Sequence, residues 1–138
     1  MFAGYLVRQL GVDFYKALLN STQTDSVAAL DQTIKAFRPT SSLGQELRSW
    51  AQVTFAGTPT IDLPAGLGYP NVVMGPSGFD LPEIDLVSYA GISRFSSNSP
   101  TSVRSRASVS WKRSATIGTF TENVIVPAGT ALTITINN

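Results

Sequence analysis

The stretch SSLGQELRSWAQVTFAG, residues 41–57, decides how the chain is read. Ser42 stands three residues before Gln45, the spacing of a capping box, in which two side chains satisfy backbone N–H groups left open at a helix start. Leu43, Leu47, Trp50, Ala51 and Phe55 recur at helical spacing and predict one buried stripe. Gly57 and Pro59 end the helix. Upstream, VAALDQTIKAF (27–37) repeats the pattern. Thr24 or Asp25 is placed to cap it, Val27, Leu30, Ile34 and Phe37 fall on one face, and Pro39 stops it. Further upstream, Phe2, Tyr5, Leu6 and Leu10 lie near one face of FAGYLVRQL (2–10). Gly11 breaks the run, and Phe14, Tyr15, Leu18 and Leu19 resume it, as one kinked helix or two short ones. The first 57 residues therefore read as three to four helices.

Downstream the texture changes. Pro59, Pro64, Pro70, Pro76 and Pro82, with interspersed glycines, exclude long helices over 58–93 and favour turns with short extended pieces. From about residue 94 the pattern alternates. In SVRSRASVSW (102–111), Val103, Ala107, Val109 and Trp111 take one parity and Arg104, Arg106, Ser108 and Ser110 the other. In TALTITI (130–136), Leu132, Ile134 and Ile136 take one parity. The expected fold is thus α+β: a helical layer over 1–57, a Pro/Gly-rich connector over 58–93 and a small antiparallel β-sheet over 94–138, together one compact domain.

Composition narrows the chemistry. Of 138 residues, 43% are hydrophobic and only 14% charged, and there is no histidine and no cysteine. Typical soluble domains carry roughly 25% charged residues. Disulfides, thiolate metal sites, His-ligated zinc and Ser-His-Asp or Cys-His catalysis are excluded within this chain. A serine–lysine nucleophile finds no support either, since Asp13, Gln32 and Val109 stand three residues before Lys16, Lys35 and Lys112. No run approaches the ~20 apolar residues of a membrane span. The N-terminus has no basic leader followed by a small-residue cleavage site, so no signal peptide is expected in this chain. No cofactor is implied.

Charge is segregated. Residues 57–93 hold only acids, Asp62, Asp80, Glu83 and Asp85, while residues 94–138 hold Arg94, Arg104, Arg106, Lys112 and Arg113 against Glu122 alone. These five cations form a candidate anion-binding set. The competing reading is internal pairing with Asp80, Glu83 or Asp85 across the fold. Nucleic acid is disfavoured as a partner, because Trp111 lies on the opposite parity from the arginines and the pI is only about 8.1. Glu83 and Asp85 could share a cation, but a solvent-facing acidic edge is the simpler reading. Trp50 and Trp111 both read as core.

The order of segments resembles a family. GYLVRQLGVDFYKALLNS is similar to the helix that follows the zinc-binding region in hyicolysin-like secreted bacterial zinc metallopeptidases. VAALDQTIKAF, LGQELRSWAQVTFAG, GFDLPEIDLVSYAG and TENVIVPAGTALTITI resemble the segments that come after it. In that family the zinc ligands and catalytic glutamate lie upstream of the matching part, and H-E-x-x-H has no counterpart here. The resemblance therefore implies a C-terminal portion that is not itself an enzyme: a structural or binding module, extracellular or in the cell envelope. The alternatives are an anionic-polymer-binding module using the basic strand region, or a self-assembling phage or surface protein. In the latter, TALTITINN (130–138) would be an edge strand that pairs with another copy or another protein.

Overall fold

Gly11 settles the N-terminal ambiguity. It adopts φ 86° and ψ 174°, a backbone conformation open to glycine but strained for side-chain-bearing residues, and so divides the apolar run into two helices. The computed structural model describes residues 2–56, 68–73, 80–84, 101–111, 113, 118–134 and 136. Four helices follow one another: α1 (Phe2–Leu10), α2 (Val12–Leu19), α3 (Ser26–Phe37) and α4 (Leu43–Ala56). Asp25 caps α3 by accepting from the N–H groups of Val27 and Ala28 at 2.7 and 2.9 Å. At α4, Ser42 Oγ accepts from Gln45 N–H at 3.3 Å, the hydroxyl half of the expected capping box. A second acceptor comes from another helix, Asp31 of α3, whose Oδ1 takes Leu43 N–H at 2.8 Å.

Tyr5, Leu6, Phe14, Ile34, Val53 and Tyr69 form the core, with Phe2, Leu10, Leu18, Leu30, Leu43 and Trp50 packed against it. Aromatic rings join the elements. Phe2 meets Trp50 at 5.3 Å between centroids, Tyr5 meets the edge of Tyr69 at 6.1 Å, and Phe14 meets Phe37 edge-on at 5.7 Å. The buried face of α4 differs from the expected one. Its fully buried side chains include Glu46 and Val53, while Leu47 and Ala51 are only half-buried.

Glu46 is 1% exposed. Its Oε1 accepts from Arg38 Nη1 at 2.9 Å and from Ser41 Oγ at 2.7 Å, and Tyr5 O–H approaches Oε2 at 3.5 Å. Arg38 also donates to the carbonyl of Gln9 at 3.2 Å. The helices α1, α3 and α4 therefore converge on one carboxylate.

Two pieces of the connector dock on this body. Val72 and Leu81 form an isolated antiparallel bridge, their N–H groups each donating at 2.9 Å to the other's carbonyl. Ile84 N–H donates to Tyr69 carbonyl at 3.0 Å, and Trp50 Nε1 donates to the Tyr69 hydroxyl at 2.8 Å. Arg8 of α1 straps the second piece down by donating to the Pro82 carbonyl at 3.0 Å, its guanidinium 5.8 Å from the centre of the Tyr69 ring.

The expected antiparallel sheet over 94–138 is not formed. Among the described residues there is no β-strand, and the architecture is helical rather than α+β. The alternation of 102–111 is cut by a turn in which Ala107 N–H donates to Arg104 carbonyl at 3.0 Å, with Arg106 at φ 59°. A left-handed residue reverses the chain and destroys the two-face register. Val109, expected to point inward, is exposed, and Trp111 is half-buried. Pro127–Thr130 forms another turn, with Gly129 at φ 76°.

The Glu46 cluster makes two predictions. Replacing Glu46 with Ala leaves Ser41 and Arg38 without their acceptor, and should lower the unfolding free energy by about 2–4 kcal/mol in urea titrations. Lys16→Ala, which breaks an exposed pair with Asp13, should cost no more than about 0.5 kcal/mol; equal effects would refute the keystone role of Glu46. Separately, burial, followed by the nearby Glu46 carboxylate, pushes the Tyr5 phenol up to about 12. In the unfolded chain it ionises near pH ~10. Its contribution to stability is therefore complete below pH ~10 and is lost as pH rises through about 12. Absorbance titration should show a late-ionising tyrosine that Tyr5→Phe removes.

Candidate functional site

The turn carrying Arg104 and Arg106 lies over the starts of α3 and α4. Asp25, Val27, Ala28, Asp31, Leu43 and Leu47, with Arg106, line an open groove of about 460 Å³ there. Its floor is apolar and its rim is charged. The rim acids are already engaged. Asp25 Oδ1 accepts two backbone N–H groups, and these, first Ala28 and then Val27, hold its carboxyl below the usual range, with Arg106 adding a smaller attraction. Asp31 accepts from Lys35 Nζ at 2.6 Å and from Leu43 N–H, and these two bonds, in that order, hold its carboxyl low. Carboxylates held in the ionised form by hydrogen bonds are poor proton donors. Among the described residues no three His, Cys, Asp or Glu side chains come together as a metal-binding group.

Of the sequence-derived basic set, Arg104, Arg106 and Arg113 fall among the described residues. Arg104 and Arg106 flank their turn, both exposed. Arg113 donates from Nε at 3.0 Å and from Nη2 at 2.9 Å to the same oxygen of Glu122. Arg94 and Lys112 lie outside the described residues, as does Asp85. The charge pairing seen here joins Arg113 to Glu122 and sets Arg106 near Asp25. Pro82 in the acidic connector meets Arg8 through its backbone carbonyl rather than through a carboxylate.

The reading of residue types overlooked Arg38, Glu46 and Ser41. A signal for Glu46 was present. It stands three residues after Leu43 and four before Trp50, on the side of α4 that also carries Val53.

The features above describe a helical unit whose charged groups serve to join its own elements, and comparison places that unit among metallopeptidase-related chains. The model of the family Peptidase M30 matches residues 1–137, and the chain belongs to that family. No curated protein and no solved structure matches it.

The groove carboxylates set an acid limit on stability. Asp25 and Asp31 have native pKa values below those of the unfolded chain, which lie near ~3.9. The unfolded state therefore binds more protons in acid. Their stabilisation is present above pH ~4 and is lost as pH falls through the native values. Urea titrations from neutral pH downward should show stability falling below pH ~4, less steeply in Asp31→Asn. A wild-type profile flat through that range would refute the assignment.

Proposed function

We propose that this chain is a non-catalytic module of an M30-type zinc metallopeptidase, supporting or extending a metal-bearing region without supplying ligands itself. One observation carries the reading. The family match runs over residues 1–137, yet the chain has no histidine and no cysteine. A peptidase zinc centre takes imidazole, thiolate or carboxylate ligands and leaves a position open for water. Among the described residues, Asp25, Asp31 and Glu46 are committed to backbone N–H groups, Lys35, Arg38 and Ser41. The helical body is then a platform, with α1, α3 and α4 locked together and the connector strapped on by Arg8. The reading takes the protein to be exported to the envelope or the medium, as the resemblance to secreted metallopeptidases implies.

Equilibrium dialysis against zinc, followed by assay on an unfolded protein substrate, tests the reading. The expected outcome is no stoichiometric zinc and no cleavage. Stoichiometric zinc together with chelator-sensitive cleavage would overturn it.

A further inference from the structure

Among the described residues after α4, one side chain alone is buried: Tyr69, 4% exposed. Its ring meets Tyr5 edge-on and lies against the Arg8 guanidinium, and its hydroxyl accepts from Trp50 Nε1. Pro70 follows and favours extended backbone at Tyr69. Ile84 packs half-buried against the core, while Pro70, Asn71, Val73, Pro82 and Glu83 are exposed. The docked connector is thus held chiefly by one aromatic ring.

The hydrogen bonds divide into two kinds. Inside the connector, backbone groups pair with one another, Val72 with Leu81 and Ile84 with Tyr69. Between connector and helices, side chains donate: Trp50 to the Tyr69 hydroxyl, Gln9 Nε2 to the Gly68 carbonyl at 3.0 Å, and Arg8 Nη2 to the Pro82 carbonyl at 3.0 Å. Among the described residues no backbone–backbone bond joins the two. A piece tied internally by its backbone and externally by a few side chains separates as one unit. The closed arrangement also leaves Arg8 Nε buried without a hydrogen-bond partner among the described residues, a cost that opening to water removes. The helices keep their own supports. Glu46 retains Arg38 and Ser41, and Leu6, Phe14, Ile34 and Val53 retain the core.

We propose that residues 68–73 and 80–84 form a releasable strap, latched by Tyr69, that opens from α1 and α4 as a unit while the helical body stays folded. Opening uncovers Tyr5 and Trp50 together, so the strap acts as a lid over the aromatic junction of α1 and α4. The inference does not depend on the peptidase reading.

Native-state hydrogen exchange on the full chain tests it. The amides of Val72, Leu81 and Ile84, the backbone donors of the strap, should share one opening equilibrium. It should lie about tenfold or more toward the open state relative to the amides of Ile34 and Val53. Tyr69→Phe keeps the ring but removes the acceptor for Trp50, and should speed exchange at all three amides by about two- to tenfold. Tyr69→Ala removes the latch and should speed it by about tenfold or more, with Ile34, Val53 and helical circular dichroism unchanged. The chain has two tryptophans, so Trp111→Phe leaves Trp50 as the reporter, and its emission should shift to the red on adding Tyr69→Ala. Three results would each overturn the proposal. They are strap amides exchanging no faster than Ile34 and Val53, a response to Tyr69→Phe that the three amides do not share, and loss of the helical signal in Tyr69→Ala.

Discussion

Burying the Glu46 carboxylate is the constraint on which the helical body depends. An ionised group taken from water is tolerated only where partners replace its hydration. Here the partners come from separate places: Arg38 at the end of α3, Ser41 in the following loop and Tyr5 on α1. None of these elements can shift independently without leaving a buried charge short of donors. Arg38 is 36% exposed, so the pair keeps one side in water, which moderates its desolvation cost. Tyr5 passes the constraint outward, since its ring touches Phe2 and Tyr69, and Tyr69 holds both Trp50 and Ile84.

The helices were legible because their signals are local. Asp25 caps α3 as its residue type suggests, α3 ends at Phe37 just ahead of Pro39, and Gly11 separates α1 from α2. The orientation of α4 was less legible. Reading apolar side chains alone chose Leu43, Leu47, Trp50, Ala51 and Phe55 as the inner stripe. Leu43 and Trp50 do pack against the core, but Leu47 and Ala51 are only half-buried, and Glu46, which that reading left out, belongs to the buried side. Its burial depends on Arg38 and Ser41, which lie outside the helix. The sheet was misread for a related reason. Alternation in 102–111 and 130–136 describes what two faces of a strand would look like. A ladder, however, needs a neighbour at the right register, and the turn at Arg104–Ala107 breaks the first of these segments. Of the basic set, Arg113 pairs with Glu122 and Arg106 lies near Asp25, neither of which proximity in sequence could show.

The chain belongs to the M30 family, and its sequence holds neither imidazole nor thiolate. Several charged side chains of this unit act on its own backbone and helices. Arg8 is typical: it spans from the Gly4 carbonyl on its own helix to Pro82, more than seventy residues along the chain, and covers the Tyr69 ring on the way.

Asp31 adds a consequence for how the chain may be divided. One of its oxygens holds Lys35 on α3 and the other holds the first amide of α4. The start of α4 is thus partly encoded twelve residues upstream, in a helix that packs beside it. A fragment cut at Pro39 would keep every helical residue of α4 and the Ser42 hydroxyl, yet lose an acceptor for its opening turn and the Arg38 partner of its buried carboxylate. The loop at 38–42 looks like a natural boundary on the linear chain. Structurally it is a joint inside a single folding unit.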